Sequence, residues 1–166
     1  LEQVLNQLRQ GPVRAPIINP LNGNYEMVTF TYNNFIHGFR SMLYSNYRIR
    51  WMPAFIHWAA QGNFSPIAEY TARYLWGINR DLKDGMYLSV TCTETIPFID
   101  YAEARRHDQG TFMGEYRLDQ QKNSCDLWVS GYLPSGFRDM YSMDIPSLII
   151  SGELDPVCPP TYGAEL

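Results

Sequence analysis

The chain has 166 residues, with 45% hydrophobic and 18% charged side chains, which is typical of one folded domain and excludes a disordered chain. Its formal net charge is −4, and its densest basic cluster, Arg105-Arg106-His107, is flanked by Glu103 and Asp108. Mixed charges of this kind predict a solvated helix face, and no apolar run approaches the length of a membrane span. We therefore expect neither a nucleic acid nor a membrane as a partner.

The first 84 residues predict helices around a short β ribbon. Apolar residues at helical spacing predict a helix over residues 1–10. The turn at Asn22-Gly23-Asn24 predicts a two-stranded ribbon near residues 17–31. Three helices are expected to follow, beginning at Asn33 or Asn34, near Met52, and at Ser65-Pro66. Seven aromatic residues of these helices either line an apolar pocket or, as is more common, pack between helices: Tyr44, Trp51, Phe55, Trp58, Tyr70, Tyr74 and Trp76.

The rest of the chain predicts two strands separated by helices. Residues 86–92 are rich in β-forming side chains and follow the turn at Asp84-Gly85. Residues 98–107 and 112–127 are expected to form helices. Residues 147–151 contain three consecutive aliphatic residues, which is typical of a parallel strand covered on both faces.

Three cysteines, Cys92, Cys125 and Cys158, lie far apart in the sequence. None forms a CxxC motif, and no histidine stands at metal-ligand spacing from them, so no metal site is expected. Two alternatives remain open. The cysteines are buried thiols, or Cys92 and Cys125 form a bridge that leaves Cys158 unpaired and requires an oxidising compartment.

A carboxylate follows the last predicted strand, within the strand-turn segment 145–156. Asp155 stands at the end of Gly152-Glu153-Leu154-Asp155-Pro156, and in open α/β sheets functional groups cluster beyond the carboxyl ends of strands. A carboxylate there can accept the Nδ1–H of a histidine and stabilise the imidazolium that forms when the histidine takes a proton from a serine. The alternative is that Asp155 only caps the turn.

Three elements, in this order, resemble the tripeptidyl-aminopeptidase-like branch of the α/β-hydrolases, which is related to the proline iminopeptidases. They are the segment 85–94, the Cys125-Asp126-Leu127-Trp128 motif, and the strand leading into Ser151–Val157 and a Pro-Pro turn. The resemblance covers about residues 33–166 and is specific over residues 85–166.

This resemblance implies an α/β fold of which the chain is a fragment. Residues 1–84 would form a helical lid that includes the ribbon. Residues 85–166 would form part of the hydrolase core, with lid-type helices over 98–128 and two sheet strands at about 86–92 and 147–151.

The resemblance also implies that Asp155 is the acid of a Ser-Asp-His triad. The sequence contains no G-x-S-x-G motif, and no histidine follows Asp155, so the nucleophile and the base are expected to lie outside this segment. The chain alone is therefore expected to be inactive. Glu94, just past the first predicted strand, either helps to hold the α-ammonium group of a substrate or caps the loop.

The function that these expectations favour is hydrolysis of peptide or amide bonds, by an aminopeptidase that needs no cofactor and releases residues or short peptides from a free N-terminus. The alternatives are an ester hydrolase on the same scaffold and a non-catalytic helical binding module. The resemblance further predicts that Cys92 and Cys125 approach each other. A bridge between them would indicate a periplasmic or secreted protein, and its absence a cytoplasmic one. Aliphatic strands without their neighbours predict a homodimer of the chain.

Overall fold

Helices dominate the chain, and the strands of its described part form a single antiparallel ribbon. The structure is a computed structural model, and it describes residues 1–139, 145–155 and 157–164. Its elements, in chain order, are α1 (Glu2–Gln10), β1 (Val13–Ile18), β2 (Tyr25–Phe30), α2 (Tyr32–Met42), α3 (Asn46–Ile49), α4 (Met52–Ala60), α5 (Ser65–Asp81), α6 (Asp84–Glu94), a 3-10 helix (Ile96–Phe98), α7 (Tyr101–Asp108), α8 (Tyr116–Leu127) and α9 (Pro160–Ala164). The mainly helical fold with two strands is confirmed, but those strands are not the two expected in a hydrolase core.

The predicted ribbon is confirmed. Strand β1 pairs with β2 in a register that sets Val13 opposite Phe30 and Ile18 opposite Tyr25. The connection turns at Gly23, whose φ of 74° is a conformation that glycine adopts without steric cost. One face of the ribbon packs on α5, so Ala15 and Ile17 are buried.

Helix α2 begins earlier than the sequence predicted. Its N-cap is Thr31, whose hydroxyl accepts the Asn34 backbone N–H, while the Asn34 side chain accepts the Thr31 N–H. Asn34 had been expected to be a cap itself. This reciprocal pair satisfies two groups that a helix N-terminus otherwise leaves unpaired, and it fixes the direction in which α2 leaves the ribbon.

The hydrophobic core is built from α1, the ribbon, α2, α4 and α5. Helices α2 and α5 cross very closely at Gly38 and Thr71. A Cβ atom on Gly38 would lie 1.9 Å from the Thr71 hydroxyl oxygen, so this crossing requires glycine. The buried Ser41 hydroxyl, which bonds the Gly38 carbonyl and the Tyr70 hydroxyl, completes the contact.

The prediction of a strand at residues 86–92 is wrong, because these residues lie within helix α6. The β-forming side chains after the Asp84-Gly85 turn suggested a strand, but a strand needs hydrogen-bonding neighbours and none lies beside this segment in the described chain. Helical bonds within the segment satisfy its backbone instead. As a result, Met86 is 71% exposed, whereas Thr91 and Cys92 are buried.

The prediction of a strand at residues 147–151 is also wrong, since the structure assigns neither helix nor strand to residues 145–151. The aliphatic run was expected to be covered on both faces, yet Leu148 and Ile150 are each 84% exposed. The described part of the chain has no parallel strand beside which this run could pair.

The two helices expected between these segments are confirmed with shifted starts. Helix α7 begins after Asp100, whose carboxylate accepts the N–H groups of Ala102 and Glu103. Helix α8 begins at Tyr116, four residues later than expected. No helix in the described part of the chain is both long enough and apolar enough to cross a membrane.

Candidate functional site

Asp155 lies in an exposed turn that holds its carboxylate in place. Its backbone N–H bonds the Gly152 carbonyl at 3.2 Å, and its Oδ1 accepts the N–H groups of Val157 at 2.8 Å and Cys158 at 3.1 Å. These two backbone hydrogen bonds lower the pKa of Asp155 below its ordinary value. Pro156, the last residue of the predicted motif, lies outside the described residues.

The turn is also held from its C-terminal side. A Cβ atom on Gly163 of α9 would lie 2.4 Å from the Ser151 Oγ, so the short helix packs directly on the segment before the turn. Asp155 is thus an ionised carboxylate with Oδ1 occupied by backbone donors, and Oδ2 makes no hydrogen bond within the described chain. Such a group can accept one further donor.

Glu94 is the last residue of helix α6 and is exposed. It was expected just beyond a strand; it lies instead at a helix C-terminus, where the helix dipole disfavours a negative charge. No ion pair or hydrogen bond within the described chain joins its carboxylate to another residue. Within the described chain, no hydrogen bond of the Glu94 side chain caps a loop or reaches Asp155.

Cys92 and Cys125 form a disulfide, with their Cα atoms 5.2 Å apart. Cys92 is buried in α6, and Cys125 lies near the end of α8. The expected approach of the two cysteines is confirmed, but its expected reason is not. They meet because two helices pack together, whereas we had expected both to pack near a strand at 147–151. Cys158 is a free, exposed thiol.

Polar contacts between α6 and α8 lie on either side of the disulfide. We call the disulfide and these contacts together the α6–α8 joint. The Tyr87 hydroxyl accepts hydrogen bonds from Arg117 at 2.6 Å and Gln121 at 2.9 Å. Burial alone would raise the pKa of Tyr87, but the Gln121 hydrogen bond and the charge of Arg117 outweigh it, so the pKa is lowered. At the other end, the Trp128 indole donates to the Ser89 hydroxyl at 3.2 Å. The Cys-x-x-Trp motif thus contacts α6 through both of its named side chains.

Four rings form a continuous row across α4, α5 and α2. The ring centroids are 5.8 Å apart between Phe55 and Tyr70, 6.3 Å between Tyr70 and Tyr74, and 5.9 Å between Tyr74 and His37. We call this set the aromatic row. At its far end the His37 Nδ1 lies 3.4 Å from the Tyr116 hydroxyl. The row therefore connects the helical core to α8.

His37 is a titratable member of the row that is partly withdrawn from water. Its Nε2 is buried and has no hydrogen-bond partner among the described residues. Burial, followed by the charges of Arg40 and Arg117, lowers the pKa of His37 below its ordinary value of 6.5. The neutral imidazole is consequently the form that this environment favours.

A cavity of about 280 Å³ opens at the Phe55 end of the aromatic row. It is lined by Met42, Tyr47, Arg48, Trp51, Phe55 and Tyr70. Three of the seven aromatic residues that the sequence marked as pocket candidates, Trp51, Phe55 and Tyr70, therefore do line a pocket. A larger open groove of about 910 Å³ lies between the start of α2 and α8, and it contains neither Asp155 nor Glu94.

No protein-family model, curated protein or solved structure matches this chain. The structure brings the two cysteines of the predicted motifs together. Hydrogen bonds and ion pairs of the described chain do not link Asp155 to Glu94 or to any histidine. Nor does the described chain place three or more His, Cys, Asp or Glu side chains where they could hold a metal ion.

The sequence did not indicate the cavity residues Tyr47 and Arg48 or the place of His37 in the aromatic row. The residues around His37 in the sequence give no sign of this role, because its partners come from α5 and α8, distant in the sequence. One feature of the sequence could have indicated a cationic surface around Arg48: residues 27–68 contain no aspartate or glutamate, although the whole chain is acidic.

Proposed function

We propose that this chain is part of a serine hydrolase of the α/β-hydrolase fold, in which Asp155 is the acid of the catalytic triad. The observation that carries the proposal is the Asp155 turn. A triad acid must be ionised, fixed in position and able to accept the Nδ1–H of a histidine. Backbone donors on Oδ1 meet the first two requirements, and the unoccupied Oδ2 meets the third.

The disulfide supports the family resemblance on which the proposal also depends. Two of the three motif elements, segment 85–94 and the Cys-x-x-Trp motif, are covalently joined through Cys92 and Cys125. A bridge of this kind persists in oxidising compartments, so the protein would act in the periplasm or outside the cell.

The exposed aliphatic residues before the turn fit the same proposal. Leu148 and Ile150 present apolar surface that folding normally removes from water. The cover would come from the remaining strands of a hydrolase sheet or from a second copy of the chain.

In the proposed reaction a serine and a histidine supplied by sequence outside this segment hydrolyse a peptide or amide bond near a free N-terminus. The histidine takes the proton of the serine hydroxyl, and Asp155 accepts the Nδ1–H and stabilises the resulting imidazolium. The exposed carboxylate of Glu94 would attract the α-ammonium group of the substrate. An ester substrate would require the same triad.

The test is the substitution Asp155→Asn in the full-length gene product, assayed on an aminoacyl anilide and on a nitrophenyl ester. We expect kcat to fall by about 10⁴, because asparagine stabilises the wrong histidine tautomer. Asparagine keeps an oxygen for the Val157 and Cys158 N–H groups, so the turn should survive. Glu153→Gln, in the same exposed turn, is the matched control and should leave kcat unchanged. Near wild-type turnover by Asp155→Asn would refute the assignment.

Residues 1–166 alone should hydrolyse neither substrate, and a fluorophosphonate should label none of their serines. The aromatic cavity favours a second candidate function, a helical module that binds a ligand without catalysis. A full-length product that lacks hydrolase activity yet binds a ligand in this cavity would support the module over the hydrolase.

A further inference from the structure

The surface around the aromatic cavity has a charge opposite to that of the whole chain. Between Glu26 and Glu69 the sequence contains no acidic residue, but it contains Arg40, Arg48 and Arg50. The chain as a whole carries a formal charge of −4. Helices α2 and α3, together with Arg50 just after α3, therefore present a locally cationic surface on an acidic protein.

These three arginines make no ion pair and no side-chain hydrogen bond within the described chain, and each lies over an aromatic ring instead. The guanidinium carbon is 5.2 Å from the Tyr44 ring centroid for Arg40, 5.7 Å from Tyr74 for Arg48, and 3.9 Å from Tyr47 for Arg50. Arg73 and Arg105, by contrast, pair with carboxylates, those of Glu69 and Glu115. The rings hold the guanidinium groups in place without consuming their N–H donors.

The cavity supplies an apolar site, and one of the three arginines, Arg48, lines it. Arg48 belongs to its lining, together with Met42 and Phe55, while Tyr47 and Trp51 are 65% and 45% exposed at its entrance. Its volume of about 280 Å³ lies at the lower end of the range for small-molecule sites. That volume suits one aromatic ring with a short chain.

We propose that this cavity binds a small carboxylate with an aromatic body. The ring packs among Trp51, Phe55 and Tyr70, and the carboxylate accepts charge-assisted hydrogen bonds from Arg48, with Arg50 adding to the positive potential. Cationic ligands are disfavoured because Arg48 is the charged member of the lining and none of the six lining residues is acidic. The proposal requires neither Asp155 nor a triad, so it stands or falls separately from the hydrolase.

Isothermal titration calorimetry of the chain at low ionic strength and neutral pH tests the proposal with three probes of similar shape: hydrocinnamate, hydrocinnamamide and phenylpropylamine. Hydrocinnamate should bind at least about tenfold more tightly than the neutral amide, because hydrogen bonds to charged groups contribute more than neutral ones. Phenylpropylamine should bind most weakly. Equal affinities for the three probes, preference for the amine, or no binding of hydrocinnamate would overturn the proposal.

Variants then locate the site. Arg48→Gln should reduce the affinity for hydrocinnamate to that for the amide, and the exposed Arg50→Gln should weaken hydrocinnamate binding to a smaller extent. Trp51→Ala should weaken both ligands, since it removes apolar contact. Arg138→Gln is the matched control, because Arg138 also lies over a ring, that of Phe98, but outside the cavity. Unchanged hydrocinnamate binding in both Arg48→Gln and Arg50→Gln would place the ligand elsewhere and refute the assignment.

Discussion

The two ends of the described chain differ sharply in how much of their apolar side chains is exposed to water. Every member of the buried core cluster lies between Val4 and Ala68. From the end of α8 onward, by contrast, Leu127 is 91% exposed, Tyr132 is 88% exposed and Leu154 is 80% exposed. Residues 4–68 bury their apolar side chains in their own core, whereas the residues from the end of α8 onward present apolar surface suited to contact with other protein surface.

Helices α6 to α8 are intermediate between these two extremes. Cys92, Ile96 and Leu118 are buried, but the packing of α6 on α8 depends heavily on the disulfide and on polar contacts such as those of Tyr87 and Trp128. The comparison therefore predicts that the core between Val4 and Ala68 stays folded when the α6–α8 joint is weakened.

The largest effect is expected from removing the disulfide in the Cys92→Ala/Cys125→Ala variant. A cross-link between residues 33 positions apart restricts the unfolded chain enough to stabilise the folded state by about 3–4 kcal/mol. Amide hydrogen exchange in α6 and α8 should accelerate by two orders of magnitude or more, on the order of that free energy. Amides of α2 and α5 should keep their protection.

Cys158→Ala is the control, because this thiol is exposed and unbonded, and it should leave all amide exchange unchanged. An equal loss of protection in α2, α5, α6 and α8 upon loss of the disulfide would show that the chain unfolds as one cooperative unit. The contrast between the core and the α6–α8 joint would then be incorrect.

Signals confined to a few neighbouring residues predicted this fold well. The Asn22-Gly23-Asn24 turn indicated the ribbon, and Ser65-Pro66 marked the start of α5. Segments 86–92 and 147–151 were assigned incorrectly because a strand depends on partners that may be distant in the sequence, and the described chain supplies none beside them.

The same distinction applies to the candidate sites. A turn at Asp155 could be predicted because its hydrogen bonds are local, and the approach of Cys92 and Cys125 was predicted from the family resemblance. The aromatic row could not be predicted, because Phe55, Tyr74 and His37 come from three helices that meet only through tertiary packing.

An intermediate effect is expected at the crossing of α2 and α5, within the well-packed region. Gly38→Ala should lower the free energy of unfolding by about 1–3 kcal/mol, the usual cost of overpacking, because the new methyl group meets the Thr71 side chain. Chemical denaturation measures this change. Gly77→Ala in the interior of α5 is the matched control. Nothing lies within 4 Å of its added Cβ, so better helix propensity should stabilise the chain by about 0.5–1 kcal/mol.

A second substitution distinguishes a steric clash from a helix-specific effect. Thr71→Ala removes the hydroxyl that a Cβ on Gly38 would meet, so Gly38→Ala should cost less in the Thr71→Ala background than in the wild type. Identical costs in the two backgrounds would show that the α2–α5 crossing is looser than the structure indicates.

The smallest effect concerns pH and tests the contact between the core and α8. His37 is faced by Tyr74 from α5, by Tyr116 and Arg117 from α8, and by Arg40 from its own helix. Burial, Arg40 and Arg117 lower its pKa in the folded state below 6.5, so the unfolded chain binds a proton more readily. The contribution of His37 to stability is therefore complete above pH 6.5 and is lost as the pH falls from 6.5 through the lower folded-state pKa.

His37→Phe keeps a ring but cannot titrate. The free energy of unfolding, measured by denaturation at several pH values from about 7.5 to 5.5, should therefore fall less steeply for this variant than for the wild type. Equal slopes for the wild type and His37→Phe would mean that α8 leaves His37 open to water, and that the core and the α6–α8 joint meet less closely than the Tyr116 contact indicates.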